Sequence, residues 1–171
     1  MRTKITETKV YRFDELTEEQ KDKAIEKLYD INVDFDWWRF TYEDAETIGL
    51  KIEGFDLYRG SYCNGKFMES AYDVAMLIKE NHGEQCETYK TANDYLITRA
   101  ELESETSDKE GIDFDPDYLD TEDIDNEFLK SLCEDYRIML QHEYDYQTSR
   151  EAIIETIDAN EYEFDEEGNI A

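Results

Sequence analysis

The chain has 171 residues, 39% of them hydrophobic and 13% aromatic, and a formal net charge of −28. That length favours one domain with a core of its own, and thirteen Tyr, eight Phe and two Trp exclude a disordered acidic tail. The charge excludes direct binding to nucleic acid or to an anionic membrane, since both would repel the chain.

The opening MRTKITETKV lacks the apolar run of a signal peptide, and no stretch has the length to span a bilayer. A soluble protein of the cytoplasm is expected. The three cysteines, Cys63, Cys86 and Cys133, are odd in number and far apart. They read as small buried hydrophobes of a reducing compartment.

In chain order, Thr3 to Phe13 suits a first strand. Thr17 with Gln20 three residues on is a capping box, opening a helix with Ala24, Ile25 and Leu28 inward. Asp36 is placed to cap a second helix through Ile48, with Gly49 to end it. Trp37 and Trp38 read as core at helical spacing. Leu50 to Tyr62 reads as strand, and Lys66 to Met68 as its partner. Asn64-Gly65 is the stronger turn signal, with Arg59-Gly60 as the alternative. Arg59, Tyr62 and Lys66 form a small basic patch there, expected to pair with the protein's own carboxylates.

Ser70 with Asp73 opens the next helix, which stops near Asn81-His82-Gly83. A further helix from Glu84 carries Cys86, Tyr89, Ala92 and Leu96. A long helix from about Thr121 buries Ile124, Phe128, Leu132, Met139 and Leu140. Thr148 with Glu151 caps another, with Ile153, Ile154 and Ile157 inward and Asn160 past its end. Tyr162 and Phe164 alternate with acids as a last strand before Gly168-Asn169. The expected fold is α+β, a single domain over 1–171 with several helices packed on a small antiparallel sheet.

The charge is uneven. Residues 1–100 hold 21 acids and 14 bases, whereas residues 101–171 hold 25 acids and 4 bases. The densest stretch, 101–127, has thirteen carboxylates against Lys109 alone. Like charges so crowded cost folding free energy through self-repulsion, so a basic partner is implied. The stretch is expected to be an exposed acidic connection, non-helical over 110–119 around Gly111 and Pro116, followed by a helix start with Glu122, Asp123 and Asp125 in its first turn.

The segments YRFDELTEEQKDKAIEK, DWWRFTYEDAETIGLKI, FDLYRGSYCNGKF and TSREAIIETIDANEYEFDEEGNI resemble an uncharacterised family of small acidic proteins carried by phages and prophages, some labelled antitoxin-like. The resemblance covers about half the chain and rests on capping boxes and core aromatics. It implies a mobile-element accessory protein and carries over no catalytic residue.

Catalytic chemistry has no motif to stand on. Asp113, Asp115 and Asp117 match three positions of an EF-hand loop, but Tyr118 stands where Gly is needed and Ile124 where a bidentate Glu belongs. Neither histidine shares a recognisable motif with a Ser or Cys, and no phosphate-binding glycine loop exists. No cofactor, metal or catalytic residue is assigned, and the chain reads as a non-enzyme. Alternate acids on an extended strand sit about 6.6 Å apart, and helical neighbours about 5–6 Å. Both approximate the spacing of phosphates along one nucleic-acid strand. The expected function is a phage-type inhibitor of the anti-CRISPR or anti-restriction kind, a DNA mimic acting through protein–protein interaction. It would block the basic nucleic-acid-binding surface of a host defence effector. Its contacts would be Asp113, Asp115, Asp117, Asp120, Glu122, Asp123 and Asp125, anchored by Phe114 and Tyr118. The alternatives are an antitoxin neutralising a basic toxin, and a divalent-cation-binding protein or metal-dependent enzyme.

Overall fold

The computed structural model describes residues 9–110, 115 and 119–171. Among them the order is β1 (Tyr11–Arg12), α1 (Glu18–Lys27), α2 (Arg39–Thr47), β2 (Leu50–Asp56), β3 (Tyr62–Phe67), α3 (Ala71–Asn81), α4 (Glu87–Glu110), α5 (Glu122–Gln147), α6 (Arg150–Ala159) and β4 (Glu163–Phe164). The chain is α+β, as its pattern of elements implies. The strands form two antiparallel pairs, β1 with β4 and β2 with β3. Two hydrophobic clusters divide the chain into two compact units, Met1–Trp37 with His142–Ala171, and Trp38–Gln141.

The first unit joins the chain's two ends. Tyr11 pairs with Phe164 and Arg12 with Glu163, while Phe13, Leu16, Ala24, Ile153, Ile157 and Phe164 make the core. The Thr17–Gln20 capping box forms as expected. Asn32, 6% exposed, donates to the Gln147 carbonyl at 3.1 Å and accepts from the Thr156 hydroxyl at 2.7 Å. Both halves of its amide are thereby satisfied, as burial demands. Of the expected first strand, Thr3 to Thr8 lie outside the described residues; among the described ones Tyr11–Arg12 is strand, and it ends there because Phe13–Glu15 turns into a short 3₁₀ helix. The cap of α6 is Ser149, whose side chain accepts from the Ala152 amide. Thr148, expected in that role, donates back to the Tyr144 carbonyl at 2.8 Å and closes α5 instead.

The second unit packs α2, α3, α4 and the first part of α5 with the β2–β3 hairpin. Its core runs through Ala45, Ile48, Leu50, Val74, Ala75 and Ile78 to Ala92, Tyr95, Phe128, Leu132 and Tyr136. Helix α2 begins at Arg39, three residues after the expected cap at Asp36, since Trp37 and Trp38 form a turn first. The hairpin turn lies at Arg59-Gly60, with Gly60 at φ +76°, and not at Asn64-Gly65. Gly65 sits inside β3 opposite Ile52, where an added Cβ would lie 2.6 Å from the Lys51 carbonyl oxygen. The glycine allows two backbones to close up beside the bulge between Ile52 and Gly54. Lys66 pairs with Glu53 at 2.7 Å, as expected of that patch.

On α5 the buried ladder is Phe128, Leu132, Tyr136 and Leu140. Met139, expected inward, is 39% exposed, because residues four apart share the face and Met139 falls beside it. Cys86, expected in the core, precedes α4 and is exposed. Helix α4 begins at Glu87 rather than Glu84 and continues through Glu110, so the first ten residues of the acidic stretch are helical.

Candidate functional site

Helices α4 and α5 build the acidic face in the second unit. The Thr91 hydroxyl donates to Asp135 at 2.7 Å, and the Tyr95 hydroxyl to Asp125 at 2.7 Å. The Tyr95 and Phe128 rings stack with centroids 4.4 Å apart. Rising residue numbers on α4 meet falling ones on α5, so the two run antiparallel. The last turns of α4 therefore run past the end at which α5 begins.

At that end both helices show acids. Glu101, Glu105 and Asp108 are exposed at spacings of four and three, one stripe of α4. Glu122, Asp123 and Glu127 are exposed in the first turns of α5, where the first two face the positive end of the helix dipole. Lys109 approaches Glu105 at 4.0 Å with both side chains more than two-thirds exposed. Such a pair is worth little and leaves the sign of the face unchanged.

Between the helices lies a groove of about 210 Å³. Tyr95, Phe128 and Ile124 form its apolar part, Thr91, Thr98 and Ser131 bring hydroxyls, and Asp94 and Glu127 bring carboxylates. No cation is among the described residues that line it, and Arg99 of α4 reaches the Tyr95 hydroxyl at its edge. An apolar floor under carboxylates suits the stem and head of a lysine or arginine side chain.

Of the seven acids expected to make contacts, Asp115, Asp120, Glu122 and Asp123 are exposed. Asp125 is half-buried and accepts from Tyr95 and from the Thr121 hydroxyl at 2.8 Å. It ties the first turn of α5 to α4 and to Thr121 just ahead of the helix. Asp113, Asp117 and the anchors Phe114 and Tyr118 lie outside the described residues. The stripe Glu101, Glu105, Asp108 was signalled by its spacing, once the stretch is taken as helix.

A second polar cluster had no local signal. His82, after α3, places Nδ1 2.7 Å from the Thr88 hydroxyl and Nε2 3.6 Å from Asp44 Oδ1. Tyr136 donates to Asp44 Oδ2 at 2.8 Å. At 3.6 Å the His82 approach is a long ionic one, and among the described residues Nε2 has no hydrogen-bond partner. The His82 ring, aided by the Tyr136 hydroxyl and opposed by burial, holds the Asp44 carboxyl below the usual range. Burial pushes the Asp135 carboxyl up, with Glu87 and Glu134 acting the same way against the Thr91 hydrogen bond. Acid, imidazole and hydroxyl stand in series, but Thr88 is 3% exposed and Tyr136 0%. No substrate reaches those hydroxyls, and the cluster holds four elements together.

Among the described residues no three His, Cys, Asp or Glu side chains are placed to hold a metal ion, and no helix is long and apolar enough to cross a membrane. Compared with protein-family models, with curated proteins and with solved structures, the chain matches none.

Proposed function

We propose that the protein is an acidic inhibitor that docks the α4–α5 face onto a basic nucleic-acid-binding surface, in the manner of a phage-borne DNA mimic acting on a defence effector. The observation that carries this reading is the run of exposed acids on both helices, Glu101, Glu105 and Asp108 along the last turns of α4 and Glu122, Asp123 and Glu127 in the first turns of α5, with an acid-flanked groove between the helices at Asp94 and Glu127. Carboxylates at helical spacing approximate a phosphate series, and a rigid array of one sign gives fast, salt-sensitive association with a Lys/Arg surface. The groove offers one partner side chain an apolar seat.

The test is the quadruple variant Glu101→Lys, Asp108→Lys, Glu122→Lys, Asp123→Lys, assayed against a panel of purified nucleases and basic toxins. The native chain is expected to inhibit at least one nucleic-acid-dependent effector at ~50 mM salt and to lose affinity steeply by ~500 mM. The variant, with an unchanged helical circular dichroism spectrum, should not inhibit. Inhibition that survives the four reversals sinks this interface, and neutralisation of a toxin alone moves the reading to an antitoxin.

A further inference from the structure

The sequence separates Cys63 from Cys133 by seventy positions, yet the second unit brings them together. On β3 the residues 63, 65 and 67 share the half-buried face, and the outward positions 62, 64 and 66 are exposed. That inner face lies on α5: the Phe67 and Phe128 rings meet with centroids 5.4 Å apart. Five residues further along α5 stands Cys133, 5% exposed, and four residues back along β3 stands Cys63, packed on the cluster that contains Leu132 and Tyr136. The Cys63 and Cys133 side chains come within interaction range of each other, and the Gly65 backbone reaches the same Cys133 sulfur. Neither is in a disulfide, and the third cysteine, Cys86, is exposed.

We propose that Cys63 and Cys133 are an oxidative modification site, two thiols held in contact that convert reversibly to a disulfide bridging β3 and α5. The oxidant is a small peroxide. The Cys133 sulfur, its charged form favoured by the Cys63 and Gly65 donors, attacks one peroxide oxygen. The O–O bond breaks, and the leaving hydroxide takes a proton to become water. The Cys133 sulfenic acid formed is then attacked by the Cys63 sulfur, which gives up its proton as the S–O bond breaks and a second water leaves. Two thiols and one hydrogen peroxide thus give one disulfide and two waters. Cys63, half-buried beside Cys133, is already in contact and so outcompetes further oxidation of the sulfenic acid. The bridge would close a loop holding α3, α4 and the acidic stretch, so it constrains the unfolded chain over most of the second unit.

The test uses the full chain with Cys86→Ser, which removes the exposed third thiol. Treatment with hydrogen peroxide under native conditions is expected to give a proteolytic peptide pair linked through Cys63 and Cys133, with the loss of two hydrogens. Tm should rise by roughly 5–10 °C, and a dithiol reductant should reverse both changes. The same treatment in urea should give far less of that pair, since the contact belongs to the fold. Separate alkylation of both cysteines after peroxide, or their passage to sulfinic acid without a link, overturns the proposal. So does a linked product whose Tm falls, because the sulfurs would then meet only by distorting the strand–helix packing.

Discussion

Asp44 and Asp135 lie in the same unit, and their environments push their carboxyls in opposite directions. Asp44, lowered by His82 and Tyr136, contributes stability that is present above the ordinary aspartate range and is lost as pH falls through its depressed value. Asp135, raised by burial, has the reverse linkage: its contribution is full below that range and is lost as pH climbs through its elevated value. Asp44→Asn should therefore destabilise the protein at neutral pH, with the deficit closing on acidification. Asp135→Asn keeps an acceptor for the Thr91 hydroxyl and should stabilise it at neutral pH, with the gain vanishing in acid. Urea unfolding of both variants from pH 3 to pH 7 checks the two slopes, and parallel slopes would contradict this electrostatic account. None of this was legible beforehand. Asp44 and Tyr136 stand 92 positions apart, and a lone histidine after a helix has no neighbours in sequence to mark it.

Among the elements, the hairpin and the helix ends show where local rules hold and where packing overrides them. Thr17 and Ser70 cap α1 and α3 as read, since each is the sole good acceptor ahead of an amphipathic run. Before α6, Thr148 and Ser149 both qualify, and only the backbone path decides between them. Asn64-Gly65 has the composition of a tight turn, yet the turn forms at Gly60. The glycine at 65 serves contact rather than chain reversal, a role that composition does not distinguish. Gly65→Ala is expected to cost about 1–3 kcal/mol through overpacking, because its Cβ would meet Lys51 backbone that cannot rotate away. Gly60→Ala has open space but an unfavourable positive φ, and should cost about 1 kcal/mol. Denaturant midpoints of the two variants rank them, and a larger loss at Gly60 would return the weight to turn chemistry. The start of the acidic stretch shows the same competition. Gly111 and Pro116 imply a connection over 110–119, and the three-and-four spacing of Glu101, Glu105 and Asp108 carries α4 up to Glu110.

Across the whole molecule the decisive quantity is the net charge of −28. The described ion pairs are mostly exposed partners three or four apart on one helix, as Lys21–Glu18, Lys23–Glu19 and Lys90–Glu87 are. Each contributes little, whereas unpaired carboxylates repel one another over the Debye length. Added salt screens both, and the repulsion is the larger sum. Tm measured by calorimetry should therefore rise by several degrees between ~20 mM and ~500 mM sodium chloride, and the quadruple lysine variant should show a smaller rise because four charges have changed sign. Docking onto a basic surface has the opposite dependence, since screening weakens an attraction that stabilises only the complex. One titration thus separates the two consequences of the same charge: the free chain grows more stable as inhibition fades. A Tm that falls with salt would mean that the ion pairs outweigh the repulsion, and would remove the energetic reason for expecting a cationic partner.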